Sequence, residues 1–209
     1  MQQSALIVID MQRDFLDAGG YAAAAGMDVT ALRKPIPLIR AMLDFARNHN
    51  MLVVHTREGH RPDLSDCPPI KLARSHSAGA EIGSTGPLGR LLIRGEYGHD
   101  IIDELKPIFG EPIVDKPGYG AFHQTDLAQI LEGRGIKRLY ICGVTTEVCV
   151  HSTLREATDC GYECVLISDA CGSAYPGLHD AALKMVAVEG GIFGRVTDVQ
   201  TVTEELKRG

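Results

Sequence analysis

Residues Lys137–Asp169 read KRLYICGVTTEVCVHSTLREATDCGYECVLISD, and the fold turns on this stretch. An apolar run, Lys137–Cys142, stops at Gly143, where a tight turn is permitted. A helical segment starts near Glu147 and runs to about Gly161, and a second apolar run, Glu163–Asp169, follows at once. Strand, helix and strand joined this closely form a βαβ unit, whose two strands lie parallel. The same alternation extends outward in both directions. Ala5–Asp10 (ALIVID), Met51–Thr56 (MLVVHT), Glu111–Asp115 (EPIVD) and Gly194–Val202 are expected strands. Met27–Asn50, which Pro35 and Pro37 must kink or restart, Thr125–Gly133 and Leu178–Glu189 are expected helices. The pattern predicts an α/β protein, a single Rossmann-like three-layer domain over residues 1–209 with a mainly parallel sheet flanked by helices. Between about Arg57 and Gly98 no periodicity is clear, and so long an irregular stretch points to function or an interface.

Composition narrows the classes of function. A 44% hydrophobic content is close to the globular norm and fills a sizeable core. A net charge of −6 argues against nucleic-acid or anionic-membrane partners. No 18-residue apolar run is present, and the opening MQQSALIVIDMQRDF lacks the basic region and cleavage site of a signal peptide. The six cysteines show neither zinc-site nor disulfide-framework spacing, so a reducing cytoplasm is the expected compartment.

In open α/β sheets ligands bind beyond the carboxyl ends of the strands. Three polar residues fall there: Asp10, Lys116 and Cys149. Cys149 is expected in the first turn of its helix, where the dipole and free N–H groups favour a thiolate. Taken alone, it reads equally well as a small buried hydrophobe. Asp10 alone reads as a cap or turn residue, and Lys116 alone as a solvated charge. Together they offer a nucleophile, a base to take its proton and a cation to hold the resulting anion.

Three segments carry a resemblance: ALIVIDMQRDF, VDKPGYGAF and CGVTTEVCVHSTLREATDCGYECVLISDAC. They are similar over essentially the whole length to the isochorismatase-like cysteine hydrolases. The resemblance implies Asp10 as general base and then acid, Lys116 as support for the thiolate, and Cys149 as nucleophile. It also implies a cis peptide at Val144–Thr145, aiming the Thr145 N–H into an oxyanion hole shared with the Cys149 N–H. No cofactor and no metal are expected. Homo-oligomers are implied, with a tetramer favoured.

Within that superfamily His55–Asp66 (HTREGHRPDLSD), Arg94–Gly118 and Glu189–Gly194 (EGGIFG) resemble hydrolases of biuret and triuret. The implied substrate is a small ureide cleaved at a terminal C–N bond with release of ammonia. This chain departs from the biuret enzymes at Glu189, where they have Gln, and at Tyr119, where they have Lys. A carboxylate only accepts hydrogen bonds, so Glu189 suits a terminal NH₂, and the departures favour triuret, then biuret. Phe15 and Phe122 are candidate faces for a planar ureide, with core packing as the alternative. Arg57, His60 and Arg61 read first as a polar loop that could touch substrate or a neighbouring subunit.

Other readings are a related amidase acting on ureidoacrylate or N-carbamoyl compounds, and a non-enzymatic assembly protein of this fold. A metal hydrolase would need an Asp and two spaced His ligands. The chain offers His55 and His60, with Glu58 a weak substitute for the carboxylate. Dinucleotide binding is disfavoured because no Gly-x-Gly-x-x-Gly follows the first strand.

Overall fold

In a computed structural model, which describes residues 3–208, the first apolar run becomes strand β1 (Ser4–Ile9), buried along its whole length. A strand shielded on both faces has no polar side to alternate with, which is why ALIVI reads as one unbroken apolar run. β1 pairs in parallel with β2 (Leu52–Glu58) on one side and with β6 (Arg138–Val144) on the other. β5 (Ile113–Lys116) extends the sheet beyond β2, while β7 (Glu163–Gly172) and β8 (Arg195–Thr197) extend it beyond β6. The order β5-β2-β1-β6-β7-β8 reverses direction between β1 and β6, so that the ligand crevice of a doubly wound sheet opens between them.

Short helices α1 (Arg13–Leu16), α2 (Tyr21–Ala24) and α3 (Val29–Arg33) follow β1 and lead into α4 (Ile36–Asn48). The expected helix over Met27–Asn50 is thus two helices, α3 and α4, divided at Lys34-Pro35. Proline lacks the N–H that an unbroken helix needs, but it fits at the start of a new one. α4 turns Ile39, Met42, Leu43 and Ala46 inward, an i, i+3, i+4, i+7 stripe that packs on the sheet. After β6 the chain passes through a π turn, Thr146–Val150, into α7 (His151–Asp159), which packs on β7. Winding outward from β1 in both directions by right-handed crossovers puts α4 and α7 on opposite faces. α6 (Leu127–Glu132) precedes β6, and α8 (Pro176–Val186) and a kinked turn α9 (Val188–Gly191) precede β8.

Two expectations are corrected. Residues 57–98 are not one irregular stretch: β2 continues to Glu58, α5 spans Pro69–Ser77, and a small hairpin joins β3 (Thr85–Gly86) to β4 (Gly89–Arg90). α5 presents only Lys71 and Ser75 as buried residues, so its inward face is polar and gives no apolar period. The last strand ends at Thr197, and Val199–Arg208 forms helix α10, which packs on α4 and β7. Its buried Val199, Val202 and Leu206 follow the helical spacing, which the apolar character of Val199 and Val202 alone does not distinguish from a strand.

Candidate active site

Asp10 follows the last residue of β1 and takes a left-handed backbone conformation, φ 50°, which aspartate tolerates better than most residues. Its N–H donates to Thr56 Oγ1 at 3.2 Å, and that hydroxyl donates to Asp10 Oδ1 at 2.6 Å. The carboxylate of β1 is thereby fastened to β2. Lys116, the last residue of β5, is fully buried, with Nζ 2.8 Å from Asp10 Oδ2 and donating to the Gly118 carbonyl at 3.1 Å.

Between these strands β2 contributes Glu58, which stands opposite Lys116 in the sheet register. The amide of Gln12 clamps Glu58 by accepting from its N–H at 2.7 Å and donating to its carbonyl at 2.9 Å. Glu58 Oε2 accepts the Cys149 thiol at 3.1 Å and lies 3.7 Å from Lys116 Nζ. Lys71, reaching in from α5, stands 2.6 Å from Glu58 Oε1 and donates to the Pro117 carbonyl at 2.6 Å.

Cys149 enters from the π turn beyond β6. Gly143 lets this strand approach β1: φ is 120°, and a Cβ there would come within 2.1 Å of the Ile9 carbonyl oxygen. The Val144–Thr145 peptide is cis, as the resemblance implies. The Thr145 carbonyl then accepts from the N–H groups of Val148 and Val150 at 3.1 and 3.2 Å, which folds the turn around the cysteine. Cys149 lies in the opening turn of the helical segment, although that turn is π rather than α.

Burial raises the proton affinity of Asp10, and the nearby Glu58 charge adds to it against the opposing Lys116. Burial likewise pushes the Cys149 thiol well above its ordinary range, with Lys116 opposing and Glu58 and Asp10 adding to the rise. Burial would raise Glu58 as well, but Lys71 and Lys116 hold it below the usual carboxylate range. Burial would lower Lys116, but Asp10, Cys149 and Glu58 hold it as an ammonium. Against the thiolate that a helix dipole favours, burial and the two carboxylates favour the protonated sulfur, which donates to Glu58.

Asp10, Glu58 and Cys149 are, among the described residues, the one group whose donor atoms lie close enough together to hold a metal ion, within 4.8 Å of one another. Lys116 and Lys71 already press positive charge onto both carboxylates, so a cation does not suit this group. The two histidines weighed as ligands each pair with a carboxylate outside this group: His55 Nε2 contacts Glu111 at 3.0 Å and His60 Nδ1 contacts Asp66 at 3.3 Å.

The remaining candidates divide. Thr145 adjoins the turn that carries Cys149 and is buried. Phe15 is a core residue, edge-on to Tyr21 with ring centres 6.0 Å apart. Phe122 packs 5.7 Å from the Tyr162 ring. Tyr119 lies over Lys71 Nζ at 4.8 Å and lines a cleft of about 440 Å³ together with Asp66, Cys67, Lys71, Arg74 and His123. Glu189 is exposed in a left-handed kink after α8, with no hydrogen bond or ion pair to the other site residues. The expected helix Leu178–Glu189 stops at Val186, which leaves this residue outside it. Arg57 is bound to Asp115 at 2.7 Å and to Asp100 at 3.0 Å, while Arg61 is exposed.

Lys71 is the member that the sequence did not reveal, and Glu58 was weighed there only as a weak metal ligand. The signal for Glu58 was its place at the carboxyl end of MLVVHTRE, equivalent to that of Asp10 on β1. Lys71 carried none, since the face that its helix buries is polar.

The sequence matches the isochorismatase domain family over residues 4–201. It is 27% identical to an isochorismatase family protein from Desulfovibrio vulgaris, covering 99% of each chain with a TM-score of 0.81. A cysteine hydrolase from Pseudomonas syringae is 26% identical, with 99% of this chain and 93% of that chain covered and a TM-score of 0.83. A pyrazinamidase of Pyrococcus horikoshii, solved in complex with zinc, is 28% identical over 94% of this chain and 99% of that one, with a TM-score of 0.74. With residues 4–201 matched to its domain, the chain belongs to the isochorismatase family of hydrolases.

Proposed function

We propose that this hydrolase is a cysteine amidohydrolase that cleaves a terminal C–N bond of a small ureide, with Cys149 as nucleophile, Asp10 as base and acid, and Lys116 as supporting cation. The observation that carries the reading is the buried Asp10–Lys116 pair at 2.8 Å beside the Cys149 sulfur. As Sγ bonds to the substrate carbonyl carbon, the thiol proton passes to Asp10, whose burial-raised affinity suits it to receive one. The carbonyl π electrons move to oxygen, which the Thr145 and Cys149 N–H groups hold. Asp10 returns the proton to the nitrogen as the C–N bond breaks, ammonia leaves and an S-acyl enzyme remains. Water then adds to that carbonyl with Asp10 as base. The Sγ–C bond breaks, sulfur regains its proton, and the acid product departs.

The amide class draws support from the likeness to a pyrazinamidase. Among ureides, triuret stands before biuret on the Tyr119 and Glu189 departures; Tyr119 borders the cleft that Lys71 shares with the site. A homo-oligomer, a tetramer by resemblance, would cover the exposed Tyr175, Leu178, Met185, Val188 and Ile192. The test is ammonia release from triuret, biuret, ureidoacrylate, an N-carbamoyl amino acid and pyrazinamide at equal, subsaturating concentration. Triuret is expected to be fastest. A faster biuret reaction would overturn the order, and no release from any of the five would end the amidohydrolase reading.

A further inference from the structure

We propose that Glu58 is a further catalytic residue, which holds the nucleophile as a thiol until substrate arrives, and that Lys71 is the positioning residue that keeps Glu58 in place. This inference rests on the amidohydrolase reading above and deepens it. Glu58 Oε2 touches the reacting sulfur at 3.1 Å, and Lys71 holds the other oxygen at 2.6 Å. Lys71 is itself fixed by the Pro117 carbonyl, next in sequence to Lys116.

The physical basis is a charge count among buried groups. Asp10 and Glu58 supply two negative charges, and Lys116 and Lys71 supply two positive ones. The set is neutral while the thiol proton stays within it, on Cys149 at rest or on Asp10 during the reaction. A thiolate whose proton had gone to solvent would add an uncompensated buried charge, which is strongly unfavourable. The other titratable groups facing the set do not alter the balance. The Tyr21 hydroxyl, from α2, stays protonated, pushed up to about 12 by burial and by Glu58. Burial and Lys71 lower the proton affinity of His60. Cys67 is pushed up by burial, and Tyr119 presents its ring to Lys71.

Neutrality has a use in turnover. The proton that Asp10 delivers to the departing nitrogen is the one stored on sulfur. An enzyme that had already lost this proton to solvent would carry a ready nucleophile and no acid. Glu58→Gln removes one negative charge, so that a thiolate now balances the set. Lys71→Met removes one positive charge and holds the thiol more firmly.

The test follows iodoacetamide modification of Cys149 in the full-length protein, read by mass spectrometry of the peptide containing it, so that exposed Cys160 does not contribute. At pH 7 Glu58→Gln should react at least tenfold faster than wild type, while its turnover falls and its pH optimum moves to the acid side. Lys71→Met should react several-fold more slowly, and Lys71→Arg should restore the wild-type rate. Were Glu58→Gln not to fold, the two Lys71 variants would decide the matter by the same rates. If modification of wild-type Cys149 leaves turnover intact, the amidohydrolase reading itself fails. If it abolishes turnover but the variants react within twofold of wild type, the role of Glu58 and Lys71 alone is overturned.

Discussion

The carboxyl ends of β1, β2 and β5 and the segment from Ala187 to Gly194 both contain residues that the sequence marks for a site, yet they are built in opposite ways. In the first region each functional side chain leaves the last position of a buried strand or the residue just after it. Asp10, Glu58 and Lys116 are 0, 4 and 0% exposed, and hydrogen bonds tie each to another strand or loop. In the second, Glu189 and Gly190 take left-handed conformations in a kink, and all four residues from Ala187 to Gly190 are exposed. Strand ends place atoms because the ladder on either side fixes them; a kinked surface turn places only its own backbone.

The widest break between the two regions should come from their polar side chains. Cys149→Ala is expected to lower kcat/KM by about 10⁴-fold or more, with far-UV circular dichroism unchanged. Glu189→Gln in the same assay should change it by less than about tenfold, provided that Glu189 acts only within its own subunit. A Glu189→Gln loss comparable to that of Cys149→Ala would mean that the kink reaches a neighbouring active site.

The buried pair sharpens the contrast in stability. Lys116→Met leaves the Asp10 carboxylate without its ammonium in a dry site, at a cost of about 3–5 kcal/mol. In urea unfolding, adding Asp10→Asn to that variant should recover part of the loss, because the uncompensated charge is then gone. Simple additivity of the two changes would contradict the coupling.

A smaller effect is expected at Glu111, outside the site. Burial would raise its pKa, but hydrogen bonds from His55 and Arg47 bring it down from 4.5 to about 2. Its folded value lies below the unfolded one, so its contribution to stability is complete above about pH 4.5 and fades as pH falls toward 2. Glu111→Gln should lose about 1.5–3 kcal/mol at neutral pH, and part of the acid-induced loss of stability should disappear with it. An unchanged pH-stability curve would refute the assignment.

The same division explains what could be read in the sequence. The six-stranded parallel sheet was legible because four of its strands are largely buried apolar runs, and a strand that ends on a charge announces the residue at its mouth. Asp10, Lys116 and Cys149 followed from that rule and from the resemblance. Glu58 obeys the same rule, but it lies two residues beyond Thr56, where Arg57 and Glu58 made the strand look finished. Lys71 was illegible because its helix turns a polar face inward, and hydrophobic periodicity is silent about such a face. α10 was missed because two valines spaced three apart fit a strand edge as readily as a helix stripe. Glu189 depended on a kink that no periodicity reports.

The absence of a side chain at Gly143 welds two strands that bear different tools. Backbone of β6 and backbone of β1 touch there with no room for a methyl group, so the sulfur and the aspartate ride on one block of sheet. Heat should not be able to drift the two apart while the block survives. Activity on warming should therefore hold until the sheet itself opens and then vanish in a single step with it.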